Sequence, residues 1–118
     1  MKNKIKRGDL FFADLDPTIG SEQGGFRPVL IVQNDKGNTH SPTTQIVPLS
    51  AQTQKKRLPT HVRISRTCGL DYDSLALCEQ LRTIDKSRFD GFVGRISSSE
   101  QATVNQALAV SLALGGVA

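Results

Sequence analysis

The chain has 118 residues, a length that suits one domain with one modest core, and we predict a single domain over residues 1–118. No apolar run approaches the roughly 18 residues that a membrane span needs. The basic first residues lead into Gly8-Asp9 instead of an apolar signal region, so we expect a cytoplasmic protein without a secretion signal.

Positive charge is concentrated in one part of the chain. The net charge is only +4, but no carboxylate occurs between Asp35 and Asp71. That interval contains six lysines and arginines: Lys36, Lys55, Lys56, Arg57, Arg63 and Arg66. A basic stretch of this kind attracts polyanions and speeds their encounter with the protein. Charge alone leaves two interpretations open, a nucleic-acid interface and an ordinary solvated surface.

Hydrophobic patterning predicts a small β-rich protein. Both faces of the first strand are apolar, which indicates cover on both sides, by its own fold or by a second subunit. Pro48 in the third strand indicates an edge or a bulge, because proline cannot donate to a central ladder. Residues 34–38 predict a turn, 51–59 a basic loop, and 82–86 a helical turn. The predicted strands are residues 9–15, 29–33, 44–50, 61–64, 74–81 and 92–96.

The C-terminal segment predicts one helix. Either Ser97 with Glu100 or Ser98 with Gln101 fits a capping box at its start. An apolar stripe at a spacing of four and a closing glycine pair follow: Val104, Leu108, Leu112 and Gly115-Gly116. Short strands with one terminal helix and no internal repeat predict a mostly antiparallel sheet, curled into a partly open barrel.

Residues 20–33 contain the first candidate for a functional side chain. Their first half is a polar, glycine-rich loop whose backbone can approach a ligand closely. Pro28 biases Arg27 toward extended geometry, so the guanidinium projects from a defined point between loop and strand. Arginine binds phosphate through paired, planar donors, whereas the structural alternative is an ion pair with one of the acids.

Other polar positions are weaker candidates. The Ser50 hydroxyl, at the end of a strand, suits donation to a phosphate oxygen better than attack, since no nucleophile elbow surrounds it. Glu79 and Gln80 suit the edges of bases, although a solvated strand end explains them equally well. His40 and His61 are each isolated, and no metal-ligand spacing or nucleotide-binding motif is present. We therefore predict no histidine base, no metal and no cofactor.

Several longer motifs follow one another through most of the chain. They are Arg7-Gly8-Asp9, Leu15-Asp16-Pro17, residues 20–29, Gln33-Asn34-Asp35 with Gly37-Asn38, Ser41-Pro42-Thr43, residues 58–62 and residues 79–85. Together they resemble the MazF/PemK/Kid family of toxins from bacterial toxin–antitoxin pairs, and most closely its Gram-positive-type MazF subgroup. The glycine-rich loop with Arg-Pro and the later Glu-Gln-x-Arg-Thr-Ile-Asp are the most specific parts.

This resemblance implies an SH3-like barrel that forms a homodimer. It implies an endoribonuclease that cleaves single-stranded messenger RNA at a short sequence without a metal. The implied reaction is attack of the ribose 2′-hydroxyl on the adjacent phosphorus, which leaves a 2′,3′-cyclic phosphate and a 5′-hydroxyl. The resemblance also implies a cognate antitoxin whose extended tail occupies the RNA groove.

The resemblance assigns roles to individual residues. The family's catalytic arginine falls on Arg27, and its catalytic hydroxyl residue, usually threonine in this subgroup, falls on Ser50. Leu77 stands where another branch carries an arginine, so a mechanism through that arginine does not transfer. Glu22 is a candidate proton acceptor, because arginine stays protonated in proteins. We predict RNA contacts from Ser21, Gln23, Lys55, Lys56, Arg57, Glu79 and Gln80.

Two other functions remain open on sequence alone. The same barrel occurs in a toxin that binds DNA gyrase without enzymatic activity, and an inactive barrel that serves as an adaptor is a third interpretation. A gyrase binder does not need Arg27 together with a hydroxyl at position 50. RNA cleavage in the absence of any partner separates the enzyme from both alternatives.

Overall fold

The computed structural model describes residues 4–53 and 57–116. These residues form strands and helices joined by loops and single 3₁₀ turns. The strands are β1 (Asp9–Asp14), β2 (Phe26–Ile31), β3 (Thr43–Ser50), β4 (His61–Ile64), β5 (Ser74–Leu77), β6 (Arg82–Asp85) and β7 (Phe89–Arg95). The helices are α1 (Asp35–His40) and α2 (Ser98–Leu112). Neither helix in these ranges has the length and apolar character to cross a membrane.

The strands form one curled antiparallel sheet. Its order is β4-β5-β3-β2-β1-β7, and β6 also pairs with β3. Strand β3 is central, because it pairs with β2 on one side and with β6 and then β5 on the other. Within the described residues the outer strands β4 and β7 do not pair with each other, so the barrel is open. The predicted fold, mostly β with a C-terminal helix, is confirmed.

Pro48 lies inside this central strand, so of the two predicted positions, an edge or a bulge, the edge is wrong. Its partner on β2 is Val29. On the other side of β3, pairing with β6 ends at Ile46 and pairing with β5 begins at Leu49. Pro48 thus falls between two ladders, where the strand changes partners and a missing backbone donor is tolerated.

Two apolar clusters lie on opposite faces of the sheet. Alternation along the strands separates them, so that Leu10 and Leu30 belong to one cluster and Phe11 and Ile31 to the other. The first cluster packs beneath α2, through Val104 and Ala107. The fold itself therefore covers both apolar faces of β1, as the sequence pattern requires, and each fully buried leucine or isoleucine contributes about 1.5–3 kcal/mol.

Helix α2 begins with the first of the two predicted capping boxes. The Ser97 hydroxyl accepts from the Glu100 backbone N–H at 3.1 Å, and the Glu100 carboxylate accepts from the Ser97 N–H at 2.8 Å. The other Glu100 oxygen accepts from the Ser65 N–H at 2.8 Å. One carboxylate therefore caps the helix and ties it to the end of β4.

The helix ends earlier than its sequence predicts. Its last residue is Leu112, before the glycine pair. The next residue, Ala113, takes the left-handed conformation with φ 55° and ends the helix. Of the predicted stripe, Val104 is fully buried and Leu108 half-buried, whereas Leu112 is exposed. Only the first half of the stripe faces the core.

Two segments predicted as turns are regular elements. Residues 82–86 contain strand β6, which pairs with residues 43–46 of β3. Residues 34–38 open helix α1, where the Asn34 side chain caps by accepting from the Gly37 N–H at 2.8 Å. Both predictions relied on local composition, and pairing between distant segments decided the structure of the first.

Candidate active site

The loop between β1 and β2 folds back tightly toward the sheet. The Leu15 N–H donates to the Gly25 carbonyl at 3.0 Å, which closes the base of the loop. Gly24 packs against its opposite side, since a Cβ there would lie 2.5 Å from Thr18 Oγ1. Strand β2 begins at Phe26, earlier than predicted, so Arg27 is a strand residue opposite Ala13 of β1. The arginine thus projects from the sheet, directly beside the loop.

Backbone carbonyls from two elements hold the Arg27 guanidinium. Its Nε donates to the Gly24 carbonyl at 2.7 Å and its Nη1 to the Leu49 carbonyl at 3.1 Å. We assign the Gln23 amide with its oxygen toward the guanidinium, since the opposite orientation would set donors against donors; the oxygen then accepts from Nη1 at 3.0 Å and from Nη2 at 2.9 Å. Burial lowers the pKa of Arg27, and the nearby Asp16 carboxylate opposes that shift. Arginine nevertheless stays protonated near neutral pH.

Ser50 lies next to this anchor. It is the last residue of β3 and follows Leu49, whose carbonyl holds Arg27. The Ser50 hydroxyl oxygen accepts from the Gln52 N–H at 3.1 Å, which leaves its own O–H free to donate. Pairing of Ser50 with Leu75 of β5 fixes the backbone at this point. The structure therefore brings the predicted guanidinium and hydroxyl to one end of the sheet.

A 3₁₀ turn over Cys78–Gln80 forms the facing wall of a groove. The Gln80 side-chain oxygen accepts from the Gln23 N–H at 2.7 Å, and its Nε2 reaches the Ser21 carbonyl at 3.5 Å. These bonds join the glycine-rich loop to the turn and bound an open groove of about 600 Å³. The groove is lined by Ile19, Ser21, Glu22, Gln23, Glu79, Gln80, Leu81 and Arg82.

Comparison with known proteins identifies the family. Residues 6–112 match the model of the PemK-like, MazF-like toxins of type II toxin–antitoxin systems. The chain belongs to this family. It is 50% identical to the endoribonuclease EndoA of Bacillus subtilis, over 93% of this chain and 96% of that protein. It is 45% identical to the endoribonuclease MazF of Staphylococcus saprophyticus, over 93% of this chain and 92% of that one.

Solved structures agree with the family assignment. A MazF structure from Deinococcus radiodurans superposes with a TM-score of 0.84 at 24% identity, over 96% of this chain and all of that chain. An endoribonuclease in complex with its cognate antitoxin, from a mycobacterial species, gives a TM-score of 0.77 at 25% identity, over 96% and 97%. The predicted family is confirmed, and the predicted enzyme class matches the names of both curated relatives.

The structure brings five of the predicted site residues of this MazF-like chain together in the groove. Arg27 is not among the residues that line this groove, and it lines instead a cavity of about 260 Å³ with Leu49 and Tyr72. Ser21, Glu22 and Gln23 face Glu79 and Gln80 across the groove. The Glu22 carboxylate is exposed and also accepts from the Ile19 N–H at 2.9 Å.

The basic loop is only partly described. Arg57, in the second half of this loop, is exposed. Lys55 and Lys56 lie outside the described residues. A larger groove of about 710 Å³, lined in part by Lys4, Asn38 and Lys86, contains none of the predicted site residues.

Sequence reasoning missed the partners of Glu79. His61 is isolated in the sequence, yet its Nε2 lies 3.0 Å from one Glu79 oxygen, and the Thr60 hydroxyl donates to the other at 2.8 Å. His61 Nδ1 accepts from the Leu58 N–H at 3.2 Å, so the proton is on Nε2, which donates to the carboxylate. Only the pairing of β4 with β5, which sets His61 opposite Leu77, creates this contact. No local sequence signal reports it.

These contacts determine the charge of the groove wall. Burial raises the pKa of Glu79, but hydrogen bonds from His61 and Thr60 outweigh it, and the resulting pKa is below the ordinary value. Glu79 is therefore a carboxylate at neutral pH, an acceptor for base amino groups and a repellent for phosphates.

We expect His61→Ala to raise the pKa of Glu79, because it removes a donor that stabilises the carboxylate. A pH titration of the Glu79 side-chain carbon by NMR measures this pKa. Arg63→Ala is the matched control on the same strand, since Arg63 pairs with Asp73 instead. An unchanged Glu79 pKa in His61→Ala would contradict the assigned contact.

Proposed function

We propose that this MazF-like endoribonuclease toxin cleaves single-stranded messenger RNA at a short sequence, without a metal. In the proposed reaction the ribose 2′-hydroxyl attacks the adjacent phosphorus and leaves a 2′,3′-cyclic phosphate and a 5′-hydroxyl. One observation carries the proposal: backbone carbonyls fix the Arg27 guanidinium, and one of these carbonyls belongs to Leu49, the residue before Ser50. An enzyme for this reaction supplies no nucleophile and must orient the RNA and stabilise developing charge.

The donors of Arg27 suit a phosphate in the position now taken by Gln23. A guanidinium has five N–H groups, and backbone carbonyls occupy the Nε–H and one Nη1–H. The Gln23 oxygen spans Nη1 and Nη2, in the paired geometry that a phosphate also adopts. A phosphate carries full negative charge, so it displaces the neutral amide and gains the paired contact. Gln23 then becomes free to contact the RNA.

Ser50 supplies the second donor. Its hydroxyl already accepts from the Gln52 N–H, which leaves its proton available to a non-bridging phosphoryl oxygen. Donors held in place before the reaction stabilise developing charge at little reorganisation cost. Glu22 is the candidate proton acceptor for the 2′-hydroxyl, because it is an exposed carboxylate on the groove wall.

The remaining groove residues suit recognition of bases. Ser21 offers a hydroxyl group and Gln80 an amide group. Glu79 offers a carboxylate that accepts from exocyclic amino groups. Arg57, with Lys55 and Lys56, adds general attraction for the phosphate backbone.

We extend the proposal to the assembly of the toxin. We propose one toxin domain over residues 1–118, a homodimer, and a cognate antitoxin that blocks the RNA groove. Family membership supports this assembly, and so does the relative whose structure contains its cognate antitoxin. RNA cleavage by the chain alone would exclude a toxin that only binds gyrase and a barrel that serves only as an adaptor.

Arg27→Ala tests the central residue. We expect cleavage of a mapped single-stranded RNA to fall by at least about 100-fold, because the phosphate loses its paired donor. Gel-resolved initial rates measure the loss, and circular dichroism checks that the variant is folded. Arg63→Ala, an exposed arginine paired with Asp73, is the control and keeps its rate. An undiminished rate in Arg27→Ala would refute the mechanism.

Ser50→Ala tests the second donor. We expect a loss on the order of 100-fold in kcat, since one donor to the transition state is removed. Ser50→Thr keeps the hydroxyl, so its rate should stay within about fivefold of the parent. Equal losses in the two variants would show that packing at the end of β3 matters instead of the hydroxyl.

A further inference from the structure

One peptide unit connects an acidic side chain to Arg27. The carbonyl of the peptide between Gly24 and Gly25 accepts from Arg27 Nε at 2.7 Å. The N–H of the same peptide donates to Asp16 Oδ1 at 2.9 Å. Because a peptide group is planar and rigid, a bond that fixes its N–H also fixes the direction of its carbonyl. Asp16 therefore controls the orientation of an acceptor that holds the guanidinium.

Asp16 is itself well anchored. Its N–H donates to Asp14 Oδ1 at 3.1 Å, and its carbonyl accepts from Arg88 Nη1 at 2.7 Å. A Cβ on Gly24 would lie 2.6 Å from Asp16 Oδ1, so the carboxylate is seated closely beneath this peptide. The position at 24 therefore needs glycine for space, and the contact has little freedom to shift.

We infer that Asp16 is a positioning residue for the proposed ribonuclease reaction, which holds the Arg27 guanidinium in its reactive direction through the Gly24–Gly25 peptide. This inference rests on the proposed function for its effect on catalysis, and on the two hydrogen bonds for its structural part. Asp16 touches neither the RNA nor the reacting atoms in this role. Its charge has a separate effect, because it opposes the lowering of the Arg27 pKa by burial.

Three variants separate orientation from charge. Asp16→Ala removes the acceptor, and we expect kcat on a mapped RNA oligonucleotide to fall about 10- to 100-fold with KM within about threefold. Asp16→Asn keeps an oxygen acceptor for the Gly25 N–H without the charge, and it should retain kcat within about fivefold. Asp90→Ala removes an exposed carboxylate on β7 and is the matched control.

Gly24→Ala disturbs the same contact without changing Asp16. The added methyl would lie 2.6 Å from Asp16 Oδ1 and 2.5 Å from Thr18 Oγ1, so it displaces both side chains, and we expect a fall in kcat at least as large as that of Asp16→Ala. This variant keeps the inference testable if Asp16→Ala does not fold. Full kcat in folded Asp16→Ala or Gly24→Ala would overturn the inference. Equal losses in Asp16→Asn and Asp16→Ala would overturn it as well, because they would assign the effect to charge.

A measurement without RNA distinguishes failure of the inference from failure of the proposed function. The Arg27 Nε–H group gives its own NMR signal, and its order parameter reports how firmly the guanidinium is held. We expect a rigid Nε–H in the parent and in Asp16→Asn, and a mobile one in Asp16→Ala. A rigid signal in all three would overturn the inference even if the parent cleaves RNA. A parent that leaves RNA intact but shows the expected signals would remove only the proposed function.

Discussion

The site depends on how a partly buried guanidinium is satisfied by the backbone around it. Burial of Arg27 is costly unless its N–H groups find acceptors, and two carbonyls from different parts of the chain provide them. Gly24 belongs to the loop and Leu49 to the central strand β3. Arg27 therefore joins the glycine-rich loop to β3, the strand that pairs with β2, β5 and β6.

This anchoring explains the layout of the groove. Strand β3 pairs with β2, β5 and β6, and its last residue, Ser50, is fixed by pairing with Leu75 of β5. The bond from Arg27 to the Leu49 carbonyl brings the guanidinium to the end of the strand at which Ser50 lies. Gln80 fixes the other side of the loop through the Gln23 N–H. Backbone contacts thus hold the guanidinium in place, and the Gln23 amide occupies the paired donors that we propose for a phosphate.

Much of this arrangement can be predicted from the sequence, and the limits have physical causes. Alternating apolar residues predict most strands, and the capping motif at Ser97 predicts the start of α2. The family motifs predict Arg27 and Ser50 as site residues. Strand β6 and the contact between His61 and Glu79 escape prediction, because both arise from pairing between segments far apart in the chain. The role of Asp16 also needs coordinates, since it acts through a single peptide.

We propose a ribonuclease that stabilises an internal attack by fixed donors and needs no metal. The most direct measurement incubates the chain with a mapped single-stranded RNA and excess chelator, then determines the ends of the products. The account predicts discrete cuts that leave a 2′,3′-cyclic phosphate and a 5′-hydroxyl, and no cut where a 2′-deoxynucleotide replaces the attacking ribose. Loss of cleavage on chelation, a 5′-phosphate end, or cleavage at the 2′-deoxy position would contradict it.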